Sequence, residues 1–325
     1  MNVRAVPADG VTMSDILIAD IGGTTSRAAF ASLGGRPEHI ITIANDSVEG
    51  LEGVLAQLLD GTTQRPRAAV LALAAPVAGD VITLTNRNWC VRLPELSARF
   101  GISAIHAVND FEALAWALPH LKPGDLQLVG DHAEWPAGVK LVLGPGTGLG
   151  VAALVPAAGG WQVIASEAGH SSFGPAYPDE EIIFHRLAEK AAPLSAERVL
   201  SGPGLVALHE AMHPGTLRVP SEMIVRQARA GDRASRATVA MFVRLLGRFA
   251  GDMALTFRAT GGVYIAGGVA TGLGPLFDAG LFRAAFERHP PYEALLKAIP
   301  SALITCPEPG LIGCVAVAER LIRSA

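Results

Sequence analysis

Cysteine is scarce in this chain. Cys90, Cys306 and Cys314 are the three in 325 residues, and no two of them form a CxxC pair. A disulfide framework and a zinc knuckle are therefore not expected, and the expected setting is a reducing cytosol. Basic excess is lacking as well. The net charge is −4, which argues against a nucleic-acid partner, because such partners select a basic face. No apolar run is long enough to span a bilayer, since Pro and Gly break each one, and no membrane partner is expected. The opening stretch "MNVRAVPADGVTMSD" lacks the apolar core of a signal peptide. Residues 1–14 read as a loose extension, with Met13 an alternative start. That extension is too short for a DNA-reading helix-turn-helix arm. No GxxxxGK[ST] motif occurs, so a P-loop is excluded, and no Gly-rich turn fits GxGxxG followed by a helix and a distal acid.

What is present is apolar residue and glycine. Hydrophobic residues make up 50% of the chain and charged residues 17%, with 36 glycines, the composition of a globular protein with a large core. At this length two domains are expected. Strand-like runs alternate with helical ones. "ILIAD", "TSRAAFAS", "HIITIAN", "AAVLALAAP" and "ISAIHAVND" read as strands, and "LEGVLAQLL" and "FEALAWAL" as helices. The pattern then restarts. "KLVLGPGTGLGVAALV" reads as strand, turn, strand, "PDEEIIFHRLAEKA" as an amphipathic helix with acids in its first turn, and "GGVYIAGGV" as a buried strand. "SAERVLSG" reads as a short helix with Ser195 as N-cap and Gly202 as its C-terminal stop, and "SRATVAMFVRLLGRFAGDMALTF" as a long one. The expected fold class is α/β with mostly parallel, covered sheets. The expected domains are 15–120 and 121–325, with the C-terminal helix able to pack back on the first.

Two turns stand out. "ILIADIGGTTSRAAF" (16–30) and "LVLGPGTGLG" (141–150) are each an apolar run, a Gly/Thr turn and a second apolar run. Side-chain-free turns expose backbone N–H groups, which suits an anion. Two such units in one chain point to a duplicated fold, with a nucleotide in the cleft between the halves. Each turn taken singly is equally a hairpin whose Asp or Gly serves only local geometry.

Six motifs occur in order: "ADIGGTTSRAAF", "AVNDFEALAWALP", "LGPGTGLGVAAL", "SEAGHSSFGP", "SAERVLSGPGL" and "GGVYIAGGV". Together they resemble bacterial glucokinases of the proteobacterial type, in the superfamily of actin-like sugar kinases, hexokinases and heat-shock ATPases. The similarity runs from about Asp15 to the C-terminus. It implies two actin-like, ribonuclease-H-like domains with a nucleotide and sugar cleft between them, and transfer of the ATP γ-phosphate to the C6 hydroxyl of glucose, the first step of glucose use in glycolysis. It also implies a cytoplasmic homodimer with no zinc and no nucleic-acid partner. A related kinase for another hexose is the competitor within this class. A sugar-binding regulator without catalysis is the competitor outside it.

The resemblance assigns roles residue by residue. The segment Ala19, Asp20, Ile21, Gly22, Gly23 and Thr24 meets ATP phosphates. A carboxylate beside phosphate requires a cation between them, so Asp20 meets Mg²⁺ through water. Gly144, Gly146, Thr147 and Gly148 form the second phosphate loop. Gly267 and Gly268 resemble the adenosine motif. Asn109, Asp110, Glu167, His170 and Glu197 take the sugar hydroxyls, and Asp110 is the general base. Read without the resemblance, Asp110 is equally a helix N-cap, His170 a buried structural histidine and Glu197 a helix-surface charge. Two positions depart from the family pattern: Thr25 stands where Asn is usual, and Ala168 where Gly is frequent. Arg27 keeps its place.

Overall fold

The computed structural model describes residues 16–60, 66–85, 87–132 and 134–324; the N-terminal extension lies outside them. The chain forms two compact units. The first holds the described residues up to Leu121 together with those from Pro307 onward, and the second runs from Lys122 to Cys306.

The first unit contains strands β1 (Ile16–Ile21), β2 (Thr25–Ala31), β3 (Glu38–Ala44), β4 (Ala68–Leu73), β5 (Val81–Thr83), β6 (Cys90–Arg92) and β7 (Ala104–Asn109). Its helices are α1 (Leu51–Leu59), α2 (Leu93–Phe100) and α3 (Asp110–Ala117). The main sheet has the order β3-β2-β1-β4-β7. β1 pairs antiparallel with β2 and parallel with β4, and β4 pairs parallel with β7. β1 is almost wholly apolar because both of its faces are covered. Leu17, Ala19 and Ile21 join Leu71, Leu73, Leu51 and Leu55 on one face. Ile16 and Ile18 join Val70, Ala113, Leu311 and Cys314 on the other.

The second unit repeats this plan. Its strands are β8 (Leu126–Leu128), β9 (Lys140–Pro145), β10 (Leu149–Ala157), β11 (Gly160–Ser166), β12 (Val263–Ile265) and β13 (Ser301–Ile304). Its helices are α4 (Pro178–Ala191), α5 (Gly202–Met212), α6 (Ser221–Arg229), α7 (Arg233–Phe257), α8 (Gly268–Leu273), α9 (Ala279–Glu287) and α10 (Glu293–Lys297). The sheet order is β11-β10-β9-β12-β13-β8. Apart from the added β8, this is the order of the first sheet. The duplication read from the two Gly turns is thus present as topology. The core centres on α7, whose Phe242 and Phe249 are buried with Phe282 and Phe286 of α9. α7 and α9 touch backbone to backbone, because a side chain at Gly247 or Gly251 would overlap the carbonyl oxygens of Phe282 and Phe286.

The last helix, α11 (Pro309–Ser324), belongs to the first unit. It crosses α3 at Gly313, where a Cβ would overlap the carbonyl of Ala113.

Two sequence expectations are corrected. The sheets are mixed rather than mostly parallel, since each begins with a meander closed by short turns, and short turns join only antiparallel strands. "SAERVLSG" forms no helix. Its backbone is drawn to the neighbouring loop instead: Ala196 N donates to Ser171 O at 2.9 Å and Glu197 N to Gly169 O at 2.8 Å. Ser195 lies in a bridge with Ser172. Gly202 opens α5, with Ser201 as the N-cap accepting from Gly204 N.

The α3–α11 crossing gives a test. Gly313→Ala forces a methyl against backbone that cannot yield, and overpacking of this kind costs about 1–3 kcal/mol. The melting temperature should fall by several degrees. Gly124→Ala, where a Cβ meets nothing within 4 Å, should leave it unchanged.

Candidate active site

In the first unit the candidate residues gather at one edge of the sheet. Register places Ile21 beside Leu73 and Leu73 beside Asn109. Asp20 and Asn109 therefore stand at the carboxyl ends of strands running in one direction, where α/β sheets present their ligand sites. The turn after β1 is closed by Gly22 N donating to Thr25 O at 3.2 Å. Gly23 and Thr24 form its more open tip.

Asn45 braces this turn. Its Nδ2 donates to Gly22 O at 2.8 Å, its Oδ1 accepts from Ser26 Oγ at 2.6 Å, and its backbone N donates to Thr24 O. Sequence reasoning did not single out Asn45. It lies outside the Gly motif, and the one signal was its place at the end of the third strand. Thr25 itself serves the turn through its carbonyl.

Asp20 lies across the strand pair from Arg27, whose Nε contacts Glu308 Oε2 at 2.8 Å. A Cβ at Gly310, in the first turn of α11, would lie 2.7 Å from Asp20 Oδ2, so the missing side chain makes room for this carboxylate. Burial pushes the Asp20 carboxyl up to about 6, Arg27 opposes the rise and Glu308 adds to it.

The helix cap is Asn109, not Asp110. Asn109 Oδ1 accepts from Phe111 N at 2.9 Å and from Glu112 N at 3.3 Å, while its Nδ2 donates to Ala75 O. A residue with extended backbone and a short amide fits the cap position. Asp110 is the first residue of α3, its Oδ1 accepting from Phe111 N at 3.0 Å. The capping alternative for Asp110 therefore falls away.

The second unit draws its candidates together more tightly. The loop at residues 144–148 closes with Gly146 N donating to Gly148 O, and Gly146 O accepts from Gly202 N, both at 2.8 Å. Thr147 is exposed at the tip. Glu197 Oε2 accepts from Leu149 N at 2.9 Å, and a Cβ at Gly148 would lie 2.5 Å from the same oxygen. Glu197 Oε1 stands 4.0 Å from His170 Nε2. His170 and Glu167 flank a single turn at Ala168–His170, and both are exposed. His170 is thus not a buried structural histidine, and Glu197 is not a helix-surface charge.

Gly169 is the glycine this turn requires, because a Cβ there would overlap Leu149 O. The methyl of Ala168 is accommodated against the core. Gly267 has φ 88 and lies on Pro145 O, with no room for a Cβ, while Gly144 fits against Ala266 O. The Gly267–Gly268 segment and the 144–148 loop therefore follow neighbouring parallel strands, β12 and β9. Gly169 escaped sequence reasoning and Gly202 was read as a helix stop, since the roles of both are backbone contacts with distant segments.

The chain resembles known proteins in both sequence and fold. The family model described as Glucokinase matches residues 17–321. The glucokinase of Chelativorans sp. (strain BNC1) is 40% identical over 95% of this chain and 92% of its own. That of Tolumonas auensis is 37% identical over 92% and 95%. Among solved structures, a glucokinase from an Antarctic psychrotroph superposes with a TM-score of 0.82 at 29% identity, covering 94% of this chain and 98% of that one. A Balamuthia mandrillaris glucokinase in complex with glucose shares the fold, with a TM-score of 0.80 at 23% identity and 94% of each chain covered. From motifs, fold and relatives together, the chain belongs to the glucokinase family.

Proposed function

We propose that this kinase transfers the γ-phosphoryl group of ATP to the C6 hydroxyl of glucose, with Asp110 as general base and Asn109, Glu167, His170 and Glu197 holding the sugar. The observation that carries the reading is in the second unit. A carboxylate, Glu197, is fixed by a backbone N–H of the Gly loop while its other oxygen faces an exposed imidazole. Paired acceptors and donors of this kind match vicinal hydroxyls, each of which both gives and takes a hydrogen bond. The glucose in the Balamuthia neighbour, and the glucose with AMPPNP in a Streptomyces griseus glucokinase of the same fold, support the two substrates.

ATP phosphates meet the turns at 19–24 and 144–148, and the adenosine meets Gly267 and Gly268. Asp110 accepts the C6 proton as the new O–P bond forms, and the start of a helix favours its ionised form. Mg²⁺ fits this donor set. Among the described residues no group of three or more His, Cys, Asp or Glu side chains stands ready to hold a metal, and Mg²⁺ needs only one or two carboxylates when phosphates and waters complete its shell. Asp20 would hold it through water, and a buried carboxylate with a raised pKa gains from a cation beside it. Bound there, the ion would neutralise charge on the phosphates. No described helix is long and apolar enough to cross a membrane. The working setting in this reading is the cytoplasm and the working form a homodimer.

Three tests follow from this geometry. Because Asn109 is the cap, Asp110→Ala should keep its melting temperature within a few degrees, as an acid in the first turn contributes only about 0.3–1 kcal/mol. Its kcat should fall by about 10²–10⁴-fold. Retention of more than about a tenth of normal kcat would refute the base assignment.

A Cβ at Gly146 meets nothing within 4 Å, so Gly146→Val should fold normally. It should weaken ATP binding by calorimetry while glucose binding persists. Unchanged ATP affinity would remove this loop from the phosphate site.

Asp20 gives a pH dependence. Its folded pKa near 6 exceeds the ordinary 3.8, so the folded state holds a proton that the unfolded chain releases. That stabilisation is fully present below the ordinary value and is lost as pH rises through about 6. Asp20→Asn should therefore melt higher than wild type at about pH 7.5, with the gap narrowing as pH falls through about 6 and closing below the ordinary value of 3.8. Parallel melting curves at every pH would contradict the burial of this carboxyl.

A further inference from the structure

A buried ionic cluster lies behind the loop that follows His170. Glu180, in the first turn of α4, is fully buried. Its Oε2 accepts from Ala176 N at 2.8 Å and lies 3.5 Å from Arg248 Nη2, and its Oε1 accepts from Arg244 Nη2 at 3.1 Å. Arg248, on α7, donates through Nη2 to Gly174 O at 2.7 Å, and its guanidinium lies 4.1 Å from the centre of the Phe173 ring. Phe173 is itself wedged against Phe184 and Phe249. Phe173, Gly174 and Ala176 are thus gripped from one side by two charged groups.

The same loop is zipped on its other side to the segment that carries Glu197. Phe173 N donates to Leu194 O, Ala196 N to Ser171 O, and Glu197 N to Gly169 O. His170 lies inside this zipped stretch, between Gly169 and Ser171, so its height against Glu197 depends on where residues 171–176 are held.

The cluster is poorly suited to mere stability. Replacing a buried ion pair with apolar side chains is often neutral or stabilising, because desolvation offsets the attraction. Here the pairing is also incomplete, since the Nε atoms of Arg244 and Arg248 are buried without hydrogen-bond partners. What the charged groups supply is direction: a planar guanidinium can lie flat on Phe173 and still donate in its own plane to Gly174 O and Glu180.

We propose that Arg248 and Glu180 are positioning residues for the sugar site, setting the 171–176 loop so that His170 stands in register with Glu197. The inference rests on the reading of His170 and Glu197 as sugar ligands.

Arg248→Lys tests it while keeping a positive charge beside Glu180. Both acceptors are met by the single nitrogen Nη2, which lies one bond beyond the reach of a lysine ammonium, and an ammonium has no planar group to stack on Phe173. KM for glucose should rise by about tenfold or more, the scale on which a small misplacement of binding groups acts, with kcat changed far less and KM for ATP unchanged. Glu180→Gln, which keeps the shape but loses one acceptor, should act in the same direction and gives a second reading should Arg248→Lys not fold. Arg186, which ties α4 to Ala211 O at 2.8 Å without touching the loop, is the comparator: Arg186→Lys should alter only the melting temperature. A lower melting temperature with unchanged KM for glucose in both loop variants, or an equal rise in both KM values, overturns the positioning role. Calorimetry separates the two levels. If wild type binds glucose and the variants bind it equally well, this inference alone fails. If wild type binds no glucose, the functional reading fails and takes the inference with it.

Discussion

Each sheet is built outward from one strand that is covered on both faces, β1 in the first unit and β9 in the second. The register of that strand against its parallel neighbour governs everything at the candidate site. Ile21, Leu73 and Asn109 lie side by side in the first sheet, and Leu143 and Ile265 in the second. The Gly turns after β1 and β9, and with them Asp20, Asn109 and Asp110, therefore emerge at the carboxyl ends of parallel strands. A slip of one residue would send every side chain to the opposite face and dismantle both the core and the site.

Within the second unit, close backbone approach does the positioning. Gly144 fits against Ala266, Gly267 against Pro145, and Gly169 against Leu149. Each absent side chain lets two segments approach closely. Glu197 completes this assembly, because its carboxylate binds the N–H of Leu149 while its own N–H is bound by Gly169 O. One residue thereby joins three loops and still presents an oxygen towards His170.

Charge is handled differently in the two units. In the first, Asp20 is half-buried beside an Arg27–Glu308 pair, and the loss of solvent around its carboxyl leaves it easier to protonate than usual. Such a group responds to a cation placed beside it. In the second, Glu180 is buried behind a loop against two partly buried arginines. There the charges have partners within the protein, and their effect is geometric.

Much of this was legible in the residues. Apolar runs ending in Gly-Thr turns marked β1–β2 and β9–β10, and the echo between them matched a real repeat of topology. The helix read at "PDEEIIFHRLAEKA" coincides with α4, since apolar spacing and first-turn acids are local signals. "SAERVLSG" misled because its helical composition was overridden by hydrogen bonds to residues 169 and 171, which no local window contains. Asn109 took the cap that Asp110 could equally have filled, since either residue type suits a helix start. The sequence by itself determined the α/β class, the two Gly turns and the residue types able to bind phosphate and sugar, because these follow from periodicity and side-chain chemistry. Only the tertiary structure decided that Asn45 braces the first turn, that Gly169 must be glycine, and that Glu180 and Arg248 stand behind the His170 loop. Those contacts join segments distant in the chain, and their energies depend on distances that exist only after folding.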